Sequence, residues 1–64
     1  MTEEMLQAIN DRIKELGIRP RDIAYKLDKD EDHLKRFLRG DDGIRYGYLV
    51  QILDYLGMEI VIWQ

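Results

Sequence analysis

The sequence predicts a mainly α fold: four short helices followed by one C-terminal β-strand. Three observations predict it. Apolar residues recur at i, i+3/i+4 spacing in four separate runs. Glycine or proline punctuates the runs at Gly17, Pro20, Gly40 and Gly57, and Asp28-Lys29-Asp30 separates the second from the third. The segment Met58-Glu59-Ile60-Val61-Ile62-Trp63 is short, β-branched and preceded by glycine, which is the pattern of a strand.

The first helix is expected over residues 3–16. Thr2 can cap it, and Glu3 and Glu4 fall in the first turn, where the helix dipole favours anions. Met5, Leu6, Ile9, Ile13 and Leu16 form its apolar stripe, and Gly17 stops it. A second helix runs over 20–27, with Pro20 where a missing N–H costs nothing and Ile23, Ala24 and Leu27 turned inward. Asp30 caps a third helix over 31–39, whose stripe is Leu34, Phe37 and Leu38 and whose stop is Gly40. Residues 20–39 thus read as helix, tight turn, helix. Neither short helix can bury its stripe alone, so the two must cross, leaving the outer face of the third helix free. After the polar loop Asp41-Asp42-Gly43, a fourth helix spans about 45–56 with Leu49, Ile52, Leu53 and Leu56 on one face. Gly47 near its start costs about 1 kcal/mol against alanine. The strand, about 58–63, completes the chain.

With 64 residues, one domain covering 1–64 is expected. A domain of that size buries only about 60% of its extended-chain surface, so its stability margin is thin. The chain has no cysteine, which removes disulfide staples and thiolate metal sites and fits a reducing cytoplasm. No apolar run approaches the roughly 20 residues of a membrane span, and no basic-then-apolar leader opens the sequence. A soluble, cytoplasmic protein is the expectation. The net charge of −3 counts against an indiscriminate nucleic-acid binder. Binding follows the local field, however, so the placement of the ten basic residues matters more than the total.

Catalytic and metal chemistry find little to work with. Asp28-Lys29-Asp30-Glu31-Asp32 opens like a calcium loop, but His33 stands where glycine is needed and Arg39 where glutamate is needed. His33 is the only histidine, so a zinc-type cluster cannot be assembled. There is no serine, and the single threonine is Thr2 at the start of the chain. The paired carboxylates lie on charged, exposed stretches where burial cannot tune them. The expectation is a non-enzyme without metal or cofactor.

At about 100° per residue, the third helix turns Leu34, Phe37 and Leu38 to the core. Asp32, Arg36 and Arg39 point outward, flanked by Lys29, His33 and Lys35. Arginine can take guanine O6 and N7 together, and a carboxylate can accept from cytosine N4, so an Arg36–Asp32 face can read a G·C-rich half-site. Glu31–Lys35 and Asp32–Arg36 also have the spacing of intrahelical ion pairs, each worth a few tenths of a kcal/mol. Both roles can coexist. Arg19, Arg21, Arg39 and Arg45 lie at helix ends flanking the third helix and are the candidates for phosphate contact, which gives affinity without sequence information. Tyr46 and Tyr48, beside Arg45, are further candidate phosphate donors.

Leu16-Gly17-Ile18, then Asp22-Ile23-Ala24 and Leu27, then Leu34-Lys35-Arg36-Phe37-Leu38-Arg39-Gly40 resemble the lambda-repressor/Cro-like (XRE-type) helix-turn-helix family. Leu53-Asp54-Tyr55-Leu56-Gly57-Met58-Glu59-Ile60 resembles the closing segment of its small members, which include phage regulators and antitoxins. The resemblance covers about residues 5–63 and identifies a fold more firmly than a target. It implies base-reading side chains near the start of the third helix, here Glu31 and Asp32, with Lys35 and Arg36 one turn on. The chain departs from the family pattern in four places. Asp28 replaces the usual turn glycine, and Lys29 the apolar residue after it. Arg19 and Pro20 stand where a hydroxyl cap and a phosphate-contacting glutamine are common, and Asp41 and Asp42 where the loop is often basic. The last two departures weaken the expected phosphate contacts.

A lone terminal strand has no pairing partner in its own chain. Two copies about a two-fold axis can pair their strands antiparallel and bury Ile60, Ile62 and Trp63 together. The alternative is an extended arm over the monomer's own core. The sequence therefore points to a DNA-binding repressor acting as a homodimer on an inverted repeat. A protein-binding module, such as an antitoxin or antirepressor whose acidic surface meets a basic partner protein, is the alternative.

Overall fold

The computed structural model describes residues 2–58. Within them are four helices: α1 (Glu3–Leu16), α2 (Pro20–Leu27), α3 (Glu31–Leu38) and α4 (Tyr46–Tyr55). The first two match the sequence expectation. The third and fourth are shorter by their terminal residues, because Arg39, Arg45 and Leu56 act as caps instead of helical positions. The expected strand over 58–63 lies, beyond Met58, outside the described residues, as do Ile60, Ile62 and Trp63. No described helix is long and apolar enough to cross a membrane.

Each helix begins on a local device. Thr2 Oγ1 accepts from the Met5 N–H at 3.1 Å, as its place before two glutamates suggests. In α2 the Asp22 carboxylate accepts from the Arg19 N–H at 2.8 Å, which is half of a capping box. Arginine has no side-chain acceptor and cannot supply the other half. Asp30 accepts from the Asp32 N–H at 3.3 Å at the start of α3.

All four helices end in the same paired backbone bonds, in which the left-handed residue and the one after it donate back into the last turn. That motif needs a left-handed residue. Glycine supplies it in three cases, and Asp28, at φ 57°, supplies it between α2 and α3. Aspartate tolerates that region better than most side chains, so the turn forms without the usual glycine.

The core draws on every helix: Ile9 and Ile13, Ile23 and Ala24, Leu34, Phe37 and Leu38, then Tyr48, Leu49, Ile52, Leu53 and Leu56. α2 packs on α3, α1 on α3 and α2 on α4. One expected stripe member leaves it. Leu16 is 43% exposed, because the chain reverses at Gly17 and Ile18 packs against the core instead. The polar flank of α1 then ties the helix ends together. Asn10 Nδ2 donates to the carbonyls of Leu6 and Leu38, both at 3.0 Å, and Arg12 Nε donates to the Leu56 carbonyl at 2.9 Å. The Leu38 and Leu56 carbonyls belong to C-terminal turns that have no further intrahelical donors, so α1 satisfies the ends of both α3 and α4.

Candidate functional site

The outer face of α3 is where most of the sequence-derived candidates meet. Leu34, Phe37 and Leu38 bury its inner stripe. Lys35, Arg36 and Arg39 are exposed, Asp32 is exposed and Glu31 is half-buried. The remaining surface divides into two flanks with different partners.

On the first flank, α3 faces the start of α2. A groove of about 240 Å3 is lined by Asn10, Pro20, Lys35, Leu38 and Arg39. It adjoins a smaller one of about 140 Å3 lined by Arg19, Pro20, Arg21, Glu31 and Lys35. The two share Pro20 and Lys35, so they form one furrow. Four candidate cations, Arg19, Arg21, Lys35 and Arg39, border that furrow, and Glu31 is its single acid among the described residues. Glu31 accepts from Lys35 Nζ at 3.0 Å, the intrahelical pair that the spacing suggests. Arg45 is the phosphate candidate that stands apart, at the N-terminus of α4.

On the second flank, α3 faces the loop that follows it. The intrahelical pair expected between Asp32 and Arg36 does not form. Arg36 Nε instead donates to Asp42 Oδ2 at 2.9 Å, with the two side chains 45% and 42% exposed. Arg39 Nε donates to Asp41 Oδ2 at 3.2 Å. The cause is the path of the backbone after Gly40, whose φ of 84° turns the chain back along α3. The Gly40 and Asp41 N–H groups donate to the carbonyls of Phe37 and Arg36, both at 2.9 Å, and Asp42 follows alongside the helix.

The bond from Arg36 holds the Asp42 carboxyl below its ordinary range, against a smaller opposing effect of desolvation. Arg36 is pushed further up by the same bond. For a carboxylate lowered in the folded state, the stabilising contribution is present above its ordinary pKa and fades as pH falls through the folded value. The pair is therefore intact throughout the neutral range. Being exposed, it contributes little to folding.

Two further groups anchor this flank. His33 Nε2 lies 3.1 Å from the Gly43 carbonyl, and since a carbonyl only accepts, that nitrogen carries the proton. Tyr48 corrects the expectation of a phosphate donor: its side chain is buried and its hydroxyl has no partner among the described residues. Its ring packs near His33, with centroids 6.2 Å apart, and Lys29 Nζ sits 5.4 Å from its centroid. Burial, and secondarily the charge of Asp30, pushes the Tyr48 hydroxyl pKa up. Tyr48→Phe should raise stability by about 1 kcal/mol, since it removes a buried group that makes no hydrogen bond and keeps the ring. Thermal melting monitored by circular dichroism checks this, and a lower midpoint in the variant would mean that the hydroxyl is bonded. Tyr46, by contrast, is exposed beside Arg45 and keeps its place as a candidate donor.

The acids Asp41 and Asp42 were legible as departures in charge, yet their partners were not. Asn10, which bridges α1 to the end of α3 beside the furrow, had no distinguishing signal in the sequence. Among the described residues, no group of three or more His, Cys, Asp or Glu side chains is placed to hold a metal ion. Comparison with protein-family models, with curated proteins and with solved structures gives no match.

Proposed function

We propose that this chain is a sequence-specific DNA-binding regulator of the helix-turn-helix kind, with α3 as its reading helix. The observation that carries the reading is the furrow between α2 and α3. It gathers Arg19, Arg21, Lys35 and Arg39 along one border of a helix whose inner stripe is fully committed to the core. Arg19, Arg21 and Arg39 in that arrangement can follow a phosphate backbone while Glu31, Asp32, Lys35 and Arg36 meet base edges. In this reading the protein is a cytoplasmic homodimer, joined through strands formed by residues 58–63 with Ile60, Ile62 and Trp63 buried between copies. It represses by occupying an inverted repeat whose half-sites lie about one helical turn apart. Removing residues 58–64 then yields a monomer. Sedimentation showing an unchanged dimer would move the interface elsewhere, with α4 the next candidate.

A second reading has its own observation. Glu31, Asp41 and Asp42 pair with three of the cations on and beside α3, which leaves that surface far from uniformly basic. With Asp28, Asp30 and Asp32 beside those pairs, the surface carries acids enough to suit a basic partner protein, as an antitoxin or antirepressor would have.

Glu31→Gln combined with Asp32→Asn separates the two. If α3 enters a groove, the double variant gains affinity for random duplex and loses sequence preference. If a basic protein is the ligand, the same change weakens that complex and slows its association. A double variant whose DNA affinity and selectivity match the wild type across a salt series would end the DNA reading.

A further inference from the structure

We infer that Asp42 is a positioning residue for Arg36, holding the guanidinium so that its free end meets a guanine. This rests on the DNA reading proposed above and adds a residue that neither the helix pattern nor the family resemblance places in recognition.

The chemistry follows from which nitrogen is used. Asp42 Oδ2 takes the Nε–H at 2.9 Å, and this is the only protein hydrogen bond the guanidinium makes among the described residues. The two Nη groups remain available as a parallel pair of donors, the geometry that matches guanine O6 and N7. A free arginine spreads over many rotamers, and docking on a base must freeze them. A carboxylate already bound at Nε removes much of that loss before the DNA arrives. It also places a negative charge where a wrongly docked phosphate would sit, so it disfavours contacts that carry no sequence information.

Asp42 can do this because it is itself held. On its N-terminal side the loop is fixed by the Gly40 and Asp41 N–H bonds to the last turn of α3, the second of them to the carbonyl of Arg36 itself. On its C-terminal side, Gly43 accepts from His33 and Ile44 packs against the core. Asp42 is thus gripped from both ends at a fixed height beside Arg36. The neighbouring Arg39–Asp41 pair is longer, at 3.2 Å, and more exposed, with side chains 64% and 62% accessible. That suits a cation that exchanges its partner for phosphate.

The test compares Asp42→Asn with wild type, each titrated against the duplex recovered by selection from random sequence and against a scrambled duplex of equal length. Asp42→Asn should bind the selected duplex roughly three- to tenfold more weakly, the range set by ordering one long side chain. It should bind the scrambled duplex as well as wild type or better. In an Arg36→Ala background the same substitution should cause no further loss of discrimination, because the two residues act as one unit. A readout without DNA accompanies this: the Arg36 Nε–H resonance should be slow to exchange in wild type and lose that protection in Asp42→Asn. Tighter binding of Asp42→Asn to both duplexes alike would make the pair a simple block on Arg36 and overturn the proposal while leaving DNA binding intact. Unchanged discrimination would overturn it too. Wild-type protein without salt-sensitive duplex binding would overturn the DNA reading, and the proposal with it.

Discussion

Leu34→Ala should cost about 2–5 kcal/mol, the range for truncating a fully buried leucine whose surroundings relax only in part. Leu34 is completely inaccessible, and it lies in α3, the helix packed against both α1 and α2. A chain of 64 residues holds only about 3–10 kcal/mol in total, so this one change removes a large share of the fold's stability. At about 4–8 °C per kcal/mol for a domain of this size, the melting midpoint should drop by at least roughly 8 °C. Circular dichroism on heating reads the result directly. A midpoint within two or three degrees of wild type would show that α3 is not seated on the core. The DNA-reading face would then have to lie on a different helix.

Arg36→Ala should cost about 1–3 kcal/mol in binding to the selected duplex, the usual worth of a bidentate arginine–guanine contact. Binding to scrambled DNA should change far less. Stability should hardly move, since the exposed pair with Asp42 contributes little to folding. Equilibrium titrations at fixed salt, with a melting curve as control, provide the measurement. Equal binding by variant and wild type would confine Arg36 to its intramolecular bond with Asp42. Lys35 and Arg39 would then carry what cationic contact α3 makes.

The helices and their ends were legible because their determinants are local. Gly17, Pro20, Asp30, Gly40 and Gly57 punctuate the sequence within a residue or so of where the structure caps or turns. The stripes at Ile9 and Ile13, at Ile23 and Ala24, and at Leu34, Phe37 and Leu38 became the core. Tyr48 sits beside Leu49 and one turn before Ile52, so it widens the α4 stripe, yet its hydroxyl made it read as a surface residue. Leu16 failed for the opposite reason: it fits the period, but the chain turns away before that turn can be covered. The partner of Arg36 was the largest miss within the site. Helical spacing nominated Asp32, four residues back, whereas the actual partner depends on where the loop runs after Gly40. That path is fixed by the bond between His33 and Gly43 and by Ile44 against the core, neither of which a periodic pattern encodes.

The electrostatic character of α3 follows from the same loop. Its cations are present as the sequence suggested, but Glu31, Asp41 and Asp42 offset three of them at close range. A surface so balanced binds random DNA weakly, because non-specific affinity comes from uncompensated charge against phosphate. Exposed pairs of this kind cost about 0–1 kcal/mol each to separate, so a correctly matched duplex can still displace Glu31 from Lys35 and Asp41 from Arg39. On this account the acids sharpen selection more than they prevent binding.

Selection from a pool of random duplexes by the wild-type protein, followed by sequencing, shows directly whether α3 reads a defined DNA sequence. The expected result is enrichment of an inverted repeat containing a guanine in each half-site, with half-site centres about one helical turn apart. Affinity for that repeat should also fall steeply as salt rises. A recovered pool no different from the input, with binding indifferent to salt, would contradict it and leave the acidic surface to a protein partner.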